Sequence, residues 1–205
     1  MEYQNIHLEK NGPIAILTIN RPPANAINVA TLEEINAALD ELERDTALRV
    51  AIFTGAGEKG FSSGFDVSDA GNADRASVLG QETWTRIDRF SKPTIAAING
   101  FAFGGGCELA LACHFRCMVS NPKALIGLTE LNLGIIPGWG GTQRMTRILG
   151  RSKALDLIIF SRRLSAKEAL AIGLIDKVVT PGALMEEALT LATQLAARPP
   201  IAVGC

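Results

Sequence analysis

Thr94-Ile95-Ala96-Ala97-Ile98-Asn99-Gly100-Phe101-Ala102-Phe103-Gly104-Gly105-Gly106-Cys107-Glu108 is the stretch on which the fold turns. Thr94 to Ile98 reads as a buried strand, entering a glycine-lined turn and then a helix over Gly105 to Cys113. Three consecutive glycines open that helix, and each lowers helix stability by roughly 1 kcal/mol relative to Ala. Such a cost implies close approach, either of a ligand or of another backbone. At a helix start the free N–H groups and the dipole both favour developing negative charge. Glu108 lies on the first turn, where an acid taken alone is a solvated complement to the dipole.

A second glycine turn followed by an acid reads Gly60-Phe61-Ser62-Ser63-Gly64-Phe65-Asp66. Two such turns brought together would offer paired backbone donors to a negatively charged oxygen, with a carboxylate nearby to move protons. That equipment suits an enzyme acting on a carbonyl compound. Glu130 stands within Gly127-Leu128-Thr129-Glu130-Leu131-Asn132-Leu133-Gly134, an acid in an otherwise apolar stretch. Acids in such places are rarely buried unless paired or functional. Two carboxylates at one pocket push their pKa values apart, leaving one to give a proton while the other accepts.

Working outward, Ile14 to Ile19, Val50 to Thr54, Phe115 to Val119 and Leu174 to Val179 read as strands. Thr31 to Arg44 reads as a helix striped by Leu32, Ile35, Leu39 and Leu42, with Thr31 and Glu34 forming a capping box. Val78, Trp84, Ile87 and Phe90 suggest a helix late in residues 66–91. Further helices are expected over Gly141 to Leu149, Lys153 to Phe160, from the capping box Ser165-Ala166-Lys167-Glu168 to Gly173, and along the stripe Leu184, Ala188, Leu191, Leu195. Apolar strands separated by helices imply an α/β chain with a largely parallel sheet covered on both faces. No internal repeat or linker is visible, so residues 1–198 are read as one core domain. Residues 199–205 resemble the first turn of a further helix, cut off.

The 205 residues suffice for one substantial core. A net charge of −1 with mixed signs gives no electrostatic case for nucleic acid. No apolar run approaches the roughly 20 residues that span a bilayer. Met1-Glu2-Tyr3-Gln4-Asn5 lacks a basic flank and an apolar segment, so the expectation is a cytoplasmic protein. Cys107, Cys113, Cys117 and Cys205 lack the second Cys or His pair of a tetrahedral site, so they read as reduced core thiols and no metal is expected. His114 reads as a helix-end residue.

Gly60-Phe61-Ser62-Ser63-Gly64 matches the G-x-S-x-G pattern of a serine hydrolase. Residues Gly55 to Lys59 separate it from the preceding strand, however, so the tight elbow is not indicated. Gly55-Ala56-Gly57-Glu58-Lys59-Gly60-Phe61-Ser62 nearly matches a phosphate loop, but Phe61 stands where the lysine must be. Trp84, Phe101, Phe103 and Trp139 are candidates to line a pocket, although aromatics at such spacings are more often core.

Taken together, Asn20-Arg21-Pro22, Phe61-Ser62-Ser63-Gly64-Phe65-Asp66, Lys92-Pro93, Asn99 through Glu108 and Pro137-Gly138-Trp139-Gly140-Gly141-Thr142-Gln143-Arg144 carry a resemblance. The chain resembles the enoyl-CoA hydratase/isomerase, or crotonase, superfamily from Ile14 to about Arg198. The resemblance implies a crotonase-like spiral of ββα units that binds an acyl-CoA thioester. It also implies that the backbone N–H groups of Phe65 and Gly105 form an oxyanion hole, with Asp66, Val67 and Ser68 continuing along the coenzyme A. Glu108 and Glu130 match the two acids of the hydratases, Glu108 activating water towards C3 and Glu130 delivering a proton to C2.

The implied reaction is reversible syn addition of water to a 2-enoyl-CoA, giving 3-hydroxyacyl-CoA. It needs no cofactor, since coenzyme A arrives as part of the substrate. Isomerisation, dienoyl-CoA hydration, or acyl-CoA binding without catalysis are the alternatives within the same scaffold. The family's C-terminal helices cover the site and build a homo-oligomer, a trimer or dimer of trimers; this helical region is expected to be missing here. Phe65 stands where many hydratases have Ala, and Cys117 to Leu125 carries a two-residue insertion relative to the simplest of them.

Overall fold

Each apolar run along the chain is followed by a short second strand and then a helix, and this repetition builds the molecule. The computed structural model describes residues 3–199 and 202. β1 (Ile6–Asn11) and β2 (Ile14–Ile19) form an antiparallel hairpin leading to α1 (Val29–Arg44). β3 (Val50–Gly55) and β4 (Gly60–Ser62) lead to α2 (Ala73–Asp88). β5 (Thr94–Ile98) and β6 (Phe101–Phe103) lead to α3 (Gly105–Ala112). β7 (Phe115–Val119) and β8 (Leu125–Gly127) precede α4 (Gly141–Leu149) and α5 (Arg151–Ile159). β9 (Leu164–Ser165), α6 (Ala166–Ala171), β10 (Lys177–Val179) and α7 (Leu184–Ala196) complete the described chain.

The first strand of each pair joins a six-stranded sheet of order β1-β2-β3-β5-β7-β10, parallel from β2 onward. The second joins a four-stranded sheet of order β4-β6-β8-β9, in which β4, β6 and β8 run parallel. This is the α/β spiral of ββα units. β3 and β5 are buried along their whole length, because the large sheet is covered on both faces. On one face α7 packs Leu184, Ala188 and Ala192 against Ile14, Ile52, Ile95 and Val179. On the other, α1, α2 and α3 contribute Leu32, Leu39, Trp84 and Leu109 to the main core with Leu17, Phe53 and Ile98.

Register in the small sheet decides which turns become neighbours. Ser62 pairs with Ala102, Ala102 with Ile126 and Phe103 with Gly127. A register shift between Gly60 and Ser62 in β4 precedes these pairs, and beyond it the parallel strands end level. The turns after β4, β6 and β8 therefore leave the sheet side by side, and these carry Phe65, Gly105 and Glu130.

Two details differ from expectation. The helix α1 is capped by Asn28, whose side chain accepts from Thr31 N, and not by Thr31 with Glu34. Glu34 instead accepts from the backbone of Gln4 and Asn5, tying the start of the chain to α1. The strand expected over Leu174 to Val179 is regular only at Lys177–Val179, because Leu174 and Ile175 are drawn back towards α6 by bonds to Ala169 O. The second expected capping box, Ser165 with Glu168, is present. Of the further helix expected over 199–205, all but Pro199 and Ala202 lie outside the described residues.

Asn25 holds the two layers of the first turn together. It is buried at φ +51°, and its Nδ2 donates to Ala56 O at 3.0 Å and Gly60 O at 2.9 Å. Its own carbonyl accepts from Ser62 Oγ at 2.7 Å. We predict that Asn25→Leu lowers stability by about 1–3 kcal/mol, since one buried and one part-buried carbonyl lose their donor. Urea unfolding monitored by circular dichroism measures this; an unchanged midpoint would deny Asn25 that role.

Candidate active site

Gly64 adopts φ +89°, and a Cβ placed there would lie 2.7 Å from both Gly105 N and Phe103 O. The two glycine turns thus meet backbone to backbone. Gly106 faces Ser62, whose carbonyl oxygen would be 2.5 Å from an added Cβ. Gly105 faces the indole of Trp139, with the nearest ring atom 2.3 Å from such a Cβ. The glycine run therefore serves close approach of backbone and ring, at positions where no side chain fits.

Phe65 bridges to Ile27 through bonds made by its neighbours, Ile27 N to Gly64 O and Asp66 N to Ile27 O. Alternate N–H groups of an extended chain point to opposite sides, so the Phe65 amide faces away from Ile27. Among the described residues it donates to no acceptor, and neither does the amide of Gly105. Both residues line one cleft of about 600 Å³. Val67, Glu108 and Glu130 line it too.

Glu108 is held by the turn that opens α4. Its Oε1 accepts from Trp139 N and Gly141 N, each at 2.8 Å. Burial, and then the charge of Glu130, push its pKa from the usual carboxylate value up to about 8, against the two amide bonds. Glu130 begins a short 3-10 helix (Glu130–Leu133) after β8 and is 8% exposed. Burial raises its pKa to about 6. Its Oε2 is buried with no hydrogen-bond partner, and its Oε1 is 3.2 Å from where a Gly104 Cβ would stand. An orphaned carboxylate oxygen at a cleft is costly unless a ligand or water satisfies it.

The structure thus brings Phe65, Val67, Gly105, Glu108 and Glu130 to a common cleft. Asp66 and Ser68 are not among its lining residues. The Asp66 carboxylate accepts from Ser68 N at 3.0 Å and Ser68 Oγ at 2.6 Å, capping the 3-10 helix Val67–Asn72, and pairs with Arg21 at 2.5 Å. These contacts, the Ser68 hydroxyl foremost, hold its pKa below the ordinary value. Ser62 and His114 are each engaged elsewhere. Ser62 Oγ donates to Asn25 O, while His114 Nδ1 accepts from Thr94 N. Among the described residues no group of three His, Cys, Asp or Glu side chains gathers to hold a metal ion.

Two further residues shape the site. Trp84 is fully buried and its Nε1 donates to Gly105 O at 3.0 Å, fixing the peptide next to the free amide. Arg144 is buried, with Nη1 donating to Trp139 O at 2.7 Å and Nε 3.4 Å from Asp88 Oδ2. It clamps from below the turn whose amides hold Glu108. In sequence Trp84 reads as a helix aromatic, in the core or lining a pocket, and Arg144 as a surface residue of a helix. The one available signal for Arg144 was its place at the end of the Pro137 to Arg144 motif.

A ββα spiral with two free amides and two buried acids at one cleft defines a class of protein. The chain belongs to the enoyl-CoA hydratase/isomerase family, whose profile matches residues 9–204. It is 44% identical to the short-chain-enoyl-CoA hydratase of Clostridium acetobutylicum, over 99% of this chain and 79% of that one. Identity to the crotonyl-CoA hydratase of Syntrophomonas wolfei is also 44%, over 99% and 80% respectively. The crystal structure of enoyl-CoA hydratase from Bacillus anthracis superposes with a TM-score of 0.94 at 40% identity, covering 98% of this chain and 80% of that one.

Removing the clamp tests how the turn is held. Arg144→Met should lower stability by about 1.5–3 kcal/mol, the usual cost of losing a hydrogen bond to a charged group. Arg144→Lys should recover part of the loss. Equal unfolding midpoints for all three proteins would refute the clamp.

Proposed function

We propose that this chain is an enoyl-CoA hydratase, adding water reversibly to a 2-enoyl-CoA to give a 3-hydroxyacyl-CoA. The observation that carries the reading is the pairing of two buried glutamates with two unpartnered amides around one cleft. The relatives named as hydratases, similar over nearly the whole chain, support it.

In this reading the amides of Phe65 and Gly105 hold the thioester oxygen as it takes on enolate character, aided by the positive start of α3. A water sits between Glu108 and Glu130. Its oxygen bonds to C3 as its proton passes to Glu108, while Glu130 gives a proton to C2. Water is thereby split across the double bond, and the pair ends with its one proton on the other acid. Two influences oppose at Glu108: burial favours its neutral form, and two N–H donors favour the carboxylate. Burial outweighs those bonds, so Glu108 is the stronger base of the two, and we assign it as the base in the form that carries the shared proton on Glu130, whose Oε2 is buried without any donor. Apparent pKa values belong to the pair, which holds a single proton near neutrality.

The chemistry needs no metal and no redox cofactor, since the charge that develops is met by backbone dipoles. We also take the working form to be cytoplasmic and, where the C-terminal helices are present, a homo-oligomer. The exposed Leu155, Ile159 and Phe160, close together at the end of α5, support an apolar contact face.

Glu108→Gln and Glu130→Gln should each lower kcat for crotonyl-CoA hydration by about 10²–10⁴, the usual worth of a general acid or base. Loss of the conjugated thioester absorbance reports the rate. Full activity in either variant would sink the assignment. The pH–rate profile should be a bell. Below about 6 both acids are protonated and no base remains; above about 8 both are ionised and no proton donor remains. A rate that stays flat across that whole range and beyond it on both sides would contradict a shared proton.

A further inference from the structure

One wall of the cleft is formed by a side chain that the hydration chemistry does not use. The indole of Trp139 is 5% exposed and lies between the two helices that flank the site. On the α2 side it covers Gly80 so closely that an added Cβ would fall 2.3 Å from its ring, and on the α3 side it covers Gly105 equally closely. Its edges meet Trp84, with ring centroids 5.6 Å apart, and Phe65 at 6.1 Å, both near perpendicular. Ala76, Ser77 and Gln81 of α2 line the cleft, but Gly80 does not, because the indole stands in front of it. Beside it the loop closes on α2 as well, since a Cβ at Gly138 would lie 3.6 Å from Ser77 Oγ.

An acyl chain whose thioester oxygen rests on the Phe65 and Gly105 amides, with C2 and C3 between the two glutamates, shares its cleft with this indole, which packs directly on Gly105. The geometry points to Trp139 as the specificity-determining residue that limits the enzyme to short 2-enoyl thioesters. This inference rests on the hydratase reading above. Longer chains must displace an indole that is wedged against two glycines and two aromatic rings, in a packed interior that yields only at a cost. Glycine at position 80 is part of the device, because any larger residue would drive the ring out of its seat. Trp139 acts twice over: its amide positions Glu108, and its side chain sets the depth of the pocket.

The experiment compares kcat/KM for the 2-butenoyl, 2-hexenoyl, 2-octenoyl and 2-decenoyl thioesters of coenzyme A. It uses the wild-type chain, Trp139→Leu and Trp139→Phe. Wild type should lose efficiency steeply with length. Trp139→Leu should raise the octenoyl-to-butenoyl ratio by about tenfold or more, the scale on which a pocket discriminates added methylenes. Trp139→Phe should fall between them. A merely loosened fold would lower all four substrates together and leave the ratio unmoved. Gly80→Ala supplies a second reading: it should depress turnover in the wild-type background and be tolerated with Trp139→Leu. An unchanged ratio in Trp139→Leu overturns the inference while hydration of 2-butenoyl-CoA still stands; absence of hydration by wild type overturns the underlying reading instead.

Discussion

The contact on which the rest depends is that between the backbones of Gly64 and Gly105. It exists because β4 and β6 run parallel, with Ser62 beside Ala102, and because Gly64 has no Cβ to stand against Gly105 N and Phe103 O. From that contact the amides of Phe65 and Gly105 emerge without acceptors, on one side of a cleft. Any residue larger than glycine at 64 would part the turns, and it would be strained at φ +89° in addition. The small sheet, built of strands no longer than a few residues, thus fixes the spacing of the donors. The large sheet provides the rigid floor beneath it.

Keeping two carboxylates buried side by side is expensive, and the surrounding structure shows how the cost is met. Glu108 receives two amides from the turn at residues 139–141, and Arg144 braces that turn from the opposite side. Glu130 receives far less, and one of its oxygens is left without any donor. The asymmetry separates a well-anchored acid from a poorly satisfied one. That is the arrangement a proton relay needs: one group held in place, the other ready to exchange.

Much of this was legible in the residues. The apolar strands of the large sheet announced themselves as continuous runs and most helices by period, and the two acids stood out against apolar or glycine-rich surroundings. The short strands β4, β6 and β8 did not, because three residues carry no periodicity and their glycines and aromatics read equally as turns. Thr31 and Glu34 fitted a capping box that Asn28 in fact supplies, a choice settled by Glu34 being drawn to Gln4 and Asn5. The glycine run left open whether a ligand or backbone came close; Ser62 and Trp139 occupy that space. Trp84 stood among the candidate pocket aromatics and Arg144 closed a motif, but the bonds they make escaped notice, since a buried polar contact made through one atom leaves no pattern in a helix. Asp66 and Ser68 were grouped with the binding residues on resemblance alone; the bonds between them, which cap a 3-10 helix, could not be read from the residues.

Cys107 sits on α3 immediately before Glu108, wholly enclosed, and burial together with both neighbouring glutamates pushes its thiol well above the ordinary value. Only a thiolate attacks alkylating agents or peroxides readily. The same negative environment that lets the acids trade a proton therefore keeps this sulfur chemically silent in the folded chain. Its silence is conditional: once the core opens, the thiol becomes ordinary again, so its reaction with a small maleimide would time the opening of the catalytic helix itself.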